Sequence, residues 1–269
     1  MNWRRVRAVI RKDLKEVLGN RMVVLPMMVV PLLIGIVMPA ALTYLALHAD
    51  AAYIQGADLI ERIIPHYPVP ETLTEMPARI TYVFLNFSFI PLFMLIPIMV
   101  SSIIAANSVV GEKERKTLET LLYTPITNRE FLVAKELAAF LPAIVIALAS
   151  FAGYFVAANA ISLASVGILM VRSPVWIPSL LLLTPSVSLL GLGVALMVSL
   201  RAKTFMEAQQ MSALIVIPFV VLMIVQLTGL VVFNMLYVLL FSGAMAGAAY
   251  LLVARIGPRF ERERIISTL

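Results

Sequence analysis

A chain of 269 residues that is 61% hydrophobic and only 13% charged has lipid as its principal solvent. A formal net charge of +6 would suggest nucleic acid in a soluble protein. Here the positive residues flank apolar runs, so anionic lipid and topology account for them and no nucleic-acid partner is expected. The absence of cysteine excludes disulfides, thiolate metal sites and cysteine nucleophiles, and two histidines, His48 and His66, are too few for a histidine-rich metal site.

Residues 1–21 form a charged arm. Trp3, Val6, Ile10, Leu14 and Val17 recur at helical spacing as one apolar stripe, and Arg4, Arg5, Arg7, Arg11, Lys12 and Lys15 fill the rest. That is the pattern of an amphipathic helix in the membrane interface, basic side towards lipid headgroups. Met22–Leu47 is uncharged and longer than the roughly 20 residues that cross a bilayer core, with Pro26, Pro31 and Pro39 expected to bend it. Residues 48–79 are acidic and expected outside, with Tyr53, Ala57, Ile60 and Ile64 on one helical face. Ile80–Gly111 supplies a second span, tilted or kinked at Pro91 and Pro97.

After a charged loop, 111–135, the third apolar run carries a span to about Ala160 and then an apolar outer segment ending at Arg172. The fourth span, 177–200, is expected to be anchored outside by Trp176. Ser186, Ser188, Gly191, Gly193, Ala195 and Ser199 give it a small-residue surface for close packing. Ala208–Ala254 is uncharged and far too long for one crossing, so it reads as a hairpin turning near Thr228–Gly229. The expectation is an all-α integral membrane protein of six spans, at about 22–47, 80–110, 137–160, 177–200, 208–228 and 231–254, with a tail over 255–269. The arm, the loop, the 201–207 turn and the tail hold eighteen Lys and Arg against three in the outer segments, Arg62, Arg79 and Arg172. By the positive-inside rule both termini lie in the cytoplasm of a multi-pass protein of the cell membrane.

The loop 111–135, GEKERKTLETLLYTPITNREFLVAK, carries the densest signals. Leu118, Leu121 and Leu122 form a narrow apolar face, and Glu112 with Lys116 and Arg115 with Glu119 are spaced as ion pairs. Pro125 ends that helix, and Thr127 with Glu130 reads as a capping box opening the next. A sharply bounded amphipathic helix between two spans suggests a docking element.

The run Glu112, Glu114, Lys116-Thr117-Leu118-Glu119, Leu121-Leu122, Pro125, Glu130 and Lys135 resembles the cytoplasmic loop of ABC exporter permeases of the second type, the sodium-exporter and drug-exporter branch most closely. That pattern often has Gly where Lys116 stands and Gly-Lys where Ala134-Lys135 stands. The resemblance implies a coupling helix that docks on a separate ABC ATPase, two copies of it, and a second permease copy, in a homodimer. It makes Glu112, Glu114, Arg115, Thr117, Leu118, Glu119, Leu121, Leu122, Pro125 and Thr127 the coupling residues. ATP and Mg are then expected in the partner, with no cofactor in this chain.

The residues themselves agree with a subunit that does no catalysis. There is no G-x-x-x-x-G-K-[ST] loop, no H-E-x-x-H and no G-x-S-x-G. No span contains a mid-membrane charge of the kind an ion-coupled transporter needs. Candidate pathway residues are the polar positions Asn86, Ser88, Asn107, Gln226 and Asn234. Two other readings stay open: a membrane anchor that docks a cytoplasmic partner without transport, and a lipid-modifying enzyme using His48, Asp50, Asp58 and His66.

Overall fold

The computed structural model describes residues 1–48, 64–114, 126–199, 201–227 and 231–256, and all regular structure among them is helical. Helix α1 is Trp3–Gly19. Six further helices are long and apolar enough to cross a membrane: α2 Arg21–His48, α3 Met76–Glu114, α4 Asn128–Val166, α5 Trp176–Ser199, α6 Phe205–Gln226 and α7 Met235–Arg255. The last apolar run is therefore the expected hairpin. Its turn, near 228–230, lies outside the described residues, as do 49–63 with most of the expected outer helix, and the tail from 257. The loop positions 115–125 lie outside them as well.

Helix α3 is the centre of the bundle. Of its most apolar stretch, 83% is buried inside the protein, against 17% for α6 and α7. In lipid there is little hydrophobic gain in bringing two apolar helices together, so contact depends on how closely backbones can approach. The small residues of α5 supply that approach, and Ser186, Ser188, Gly191, Gly193, Ala195 and Ser199 are buried as expected. A Cβ built on Gly191 would lie 3.0 Å from the Ile98 carbonyl oxygen of α3, while one on Gly193 would lie 3.3 Å from Leu252 Cβ of α7.

The proline bends take a specific form. Turns of π-helix occur at Leu33–Val37, Phe84–Ser88 and Ser179–Leu183. Each contains the residue four before a proline: Gly35 before Pro39, Phe87 before Pro91, Leu181 before Pro185. Proline offers no N–H to that carbonyl, and a widened turn is one way a helix absorbs the missing bond. At the first of these turns the chain packs against α4, where a Cβ on Gly35 would meet Ser150 Cβ at 3.0 Å.

Helix α4 runs past the expected end of its span to Val166 and stops at Gly167, whose φ of 71° provides the left-handed cap. The apolar segment that follows folds inward, with Met170, Val171 and Val175 buried. Trp176 does not serve as the expected interfacial anchor. It is 4% exposed and packs against Phe93, Phe151 and Tyr154, with ring centroids 4.8–5.5 Å away. Stacking within an aromatic cluster there outweighs the interfacial preference of its ring N–H.

Gly191→Ala is expected to destabilise the protein by about 1–3 kcal/mol, since the Ile98 backbone cannot easily give way. Gly243→Ala on α7, where nothing lies within 4 Å of the added carbon, should leave the thermal midpoint in detergent unchanged. Equal midpoints for the two variants would contradict the close α3–α5 contact.

Candidate functional site

The last turn of α3 leads directly into residue 115, and its three final residues each reach a different part of the bundle. Glu112 is 1% exposed and accepts hydrogen bonds from Lys12 of α1 and from Lys135 of α4, the latter at 2.8 Å. Lys113 donates to the carbonyl of Ser199, at the end of α5, at 3.0 Å. Glu114 accepts from the backbone N–H of Phe205, at the start of α6, at 3.0 Å. A cation on a helix C-terminus and a carboxylate on a helix N-terminus both complement the orphan backbone groups found there.

Lys135 lies at the heart of this node. Its ammonium, 2% exposed with its residue, donates to Asp13 Oδ1 at 3.1 Å, to the Ser108 carbonyl at 2.8 Å and to Glu112. Ser108 Oγ completes the group by donating to Asp13 Oδ2 at 2.7 Å. All three donor positions of the ammonium are filled, which is the condition for keeping such a charge out of water. Lys12 stands at the rim, near Asp13 at 3.7 Å and Glu16 at 3.5 Å. Burial alone would lower its pKa, but the hydrogen bond and charge of Glu112, with Asp13 and Glu16, hold it above the ordinary lysine value. The carboxylates of Asp13, Glu16 and Glu112 have oxygens within 4.8 Å of one another, close enough to share a metal. Lys12 and Lys135 bring two ammonium groups to the same oxygens.

A second tie binds the far side of the loop to the arm. Thr127 caps α4 in the expected box with Glu130, whose other oxygen takes the Asn2 backbone N–H at 2.5 Å. Arg5 lies 3.9 Å from the same carboxylate. Asn20, between α1 and α2, donates to Asn107 of α3 at 3.2 Å. Both flanks of the loop are thus fastened to α1.

Of the expected coupling residues, Glu114 and Thr127 are exposed, flanking the loop. Glu112 is turned inward, because two ammonium groups compete for it more effectively than water does. Arg115, Thr117, Leu118, Glu119, Leu121, Leu122 and Pro125 lie outside the described residues. The residues that sequence reasoning passed over are Asp13, Lys12, Ser108 and the role of Lys135. One signal was present: Asp13 is seven after Val6 and four before Val17, on the face that is actually buried.

Of the expected pathway residues, Ser88 and Gln226 lie together, bridged by Tyr67, while Asn107 and Asn234 lie apart from them. Asn86 is fully buried and spends its amide on backbone: it donates to the carbonyls of Tyr82 and Met170 and accepts from the N–H groups of Arg172 and Ser173. Asn159 does likewise for Val171, donating to its carbonyl and accepting from its N–H. The two asparagines therefore pin the irregular segment after Gly167. The Gln226 side-chain amide donates to the Phe87 carbonyl at 3.3 Å, and its backbone carbonyl accepts from Tyr67, whose hydroxyl also bonds Ser88. Asn107 is at the opposite end, with Asn20. Asn234 is exposed and caps α7 by accepting from Tyr237 N–H.

Six apolar helices around a buried centre, with a charged node where a loop leaves the central one, define a multi-pass membrane protein. The chain belongs to the ABC-2 family of transporter proteins: the model of that family, described as "ABC-2 family transporter protein", matches residues 7–239, well over half of the sequence. No curated protein matches the chain. The family is one of permeases, membrane subunits distinct from the ATPase with which they generally work.

Lys135→Met leaves Asp13 and Glu112 buried with one ammonium between them, and is expected to cost about 3–5 kcal/mol. Asp13→Asn combined with Lys135→Met leaves the Lys12–Glu112 pair balanced and should recover much of the loss in thermal midpoint. Asn86→Leu should cost about 2–4 kcal/mol by stranding two buried N–H groups. It should also speed proteolysis or hydrogen exchange over 168–175, and unchanged exchange there would contradict the pinning role.

Proposed function

We propose that this chain is the permease subunit of an ATP-driven exporter, akin to the sodium-exporter and drug-exporter branch, coupled through 111–135 to a separate ABC ATPase. In this reading two permease copies pair, two ATPase copies bind ATP and Mg, and this chain holds neither. Both termini and the loop face the cytoplasm, in line with the eighteen-to-three partition of positive residues. Leu118, Leu121 and Leu122 enter the groove of the ATPase, while Glu114, Arg115, Thr117 and Glu119 contact its rim. Pro125 and Thr127 set the angle at which the loop returns to α4.

The observation that carries the proposal is the node itself. Glu112, Lys113 and Glu114 stand immediately before the loop and hold α1, α4, α5 and α6 at once. A displacement of the loop by a closing ATPase dimer would pull on four helices through charge-assisted bonds, which are shorter and stronger than neutral ones. Rigid-body rocking of one helical bundle against another is an established form of alternating access. A passive anchor has no need to spread a pull in this way.

The test is co-purification with the cognate ATPase followed by ATP hydrolysis in lipid vesicles. Leu121→Glu sets a charge in the apolar docking face and should lower the ATPase retained by about tenfold or more, with the spans still inserted. Full retention would sink the coupling assignment. A stable complex that hydrolyses ATP without moving any substrate would favour the anchor reading instead.

A further inference from the structure

The charges of α1 divide into two sets. Towards the bundle, Lys12, Asp13 and Glu16 join the node and Arg5 faces Glu130. Towards the outside, Arg4, Arg7 and Arg11 follow one another at spacings of three and four, so their guanidinium groups share a face. None of the three has an ion-pair partner among the described residues. With Trp3 and Ala8 they line a shallow cavity of about 310 Å³. Ala8, with no side chain beyond its methyl, makes the dent that the longer residues surround.

We propose that this cavity is a binding site for the phosphate headgroup of an anionic phospholipid. Three guanidinium groups within two helical turns, without an ion-pair partner among the described residues, repel one another and call for an anion. Guanidinium presents a planar fork that matches phosphate oxygens in pairs. The volume is at the small end of the range for ligand sites, enough for a headgroup.

The flank of the helix beside the arginines selects lipid as the source. Trp3 is 59% exposed and at the helical period shares that flank with Leu14, while Leu18, 67% exposed, continues the arginine face two turns on. The same apolar exposure continues into α2 through Met22 and Leu25, where the first span begins. An indole at the boundary and leucines below it suit the acyl margin of a membrane, with the arginines at the level of the phosphates. An acidic protein surface would satisfy the charges while leaving the apolar flank in water. The site is independent of the coupling reading, since it involves no residue of the loop.

The full chain is purified in neutral detergent and its thermal midpoint followed as phosphatidylglycerol or phosphatidylcholine is added. Phosphatidylglycerol should raise the midpoint of the native chain, with inorganic phosphate unable to replace it. Arg4→Gln/Arg7→Gln/Arg11→Gln should abolish that rise while matching the native midpoint in phosphatidylcholine. A charge-matched control, Arg201→Gln/Lys203→Gln/Arg255→Gln, removes three exposed cations elsewhere and should keep the rise. Equal response to the two lipids, or equal loss in both triple variants, would overturn the proposal. So would loss of ATPase binding in phosphatidylcholine by the arginine variant with its lipid response intact, because the face would then belong to the ATPase.

Discussion

The structure depends on the placing of one ammonium, that of Lys135, between Asp13 and Glu112. Each of the three comes from a different helix, and each is buried to within 1–2% of its surface. Separately none of them could leave water at tolerable cost. Together they are satisfied only when α1, α3 and α4 take up one mutual arrangement. Apolar contact could not impose this, because lipid offers an exposed leucine nearly the same environment as a neighbouring helix does. Directional, charged bonds supply the specificity, as polar groups placed in otherwise apolar helix contacts can.

The opposite end of the bundle solves a different problem with neutral groups. Between Gly167 and Trp176 the backbone leaves regular helix while Met170, Val171, Ser173 and Val175 stay buried, and irregular backbone away from water needs partners for its N–H and C=O groups. Asn86 and Asn159 meet that demand because an amide both donates and accepts. Polar residues in spans were expected to face a route for substrate. Asn86 and Asn159 bond main chain, and the aromatic cluster of Phe93, Phe151, Tyr154 and Trp176 fills the space beside them. The two ends of α3 therefore carry two kinds of bond, ionic at Glu112 and amide at Asn86.

What could be read from the sequence was local or metric. Run lengths set against bilayer thickness gave six crossings, and the long final run had to double back as α6 and α7. The Thr127–Glu130 box formed because both partners lie within one turn, and the small face of α5 packed because size alone decides how near a backbone can come. Misreadings arose where partners lie far apart along the chain. Asn86 bonds residues 84 and 87 positions away, and Trp176 packs against Phe93 on another helix. The stripe on α1 was drawn through Trp3 as a purely apolar line. The helix is instead rotated so that Asp13 points inward and Trp3 outward, a choice fixed by Lys135, 122 residues on. No periodicity within α1 contains that information.

The widened turns before Pro39, Pro91 and Pro185 act like one extra residue spliced into α2, α3 and α5. Since each α-helical residue advances the chain by about 100°, everything beyond such a turn is swung by that angle relative to an unbroken helix. The stretches on either side of such a turn consequently face different neighbours and can be tuned separately. In α3 the stretch before the turn answers to the Gly167 segment, and the stretch after it answers to the charged node. A substitution scan along α3 should be wrapped on two wheels offset from each other, since a single wheel would assign the stretch before the turn to the wrong side.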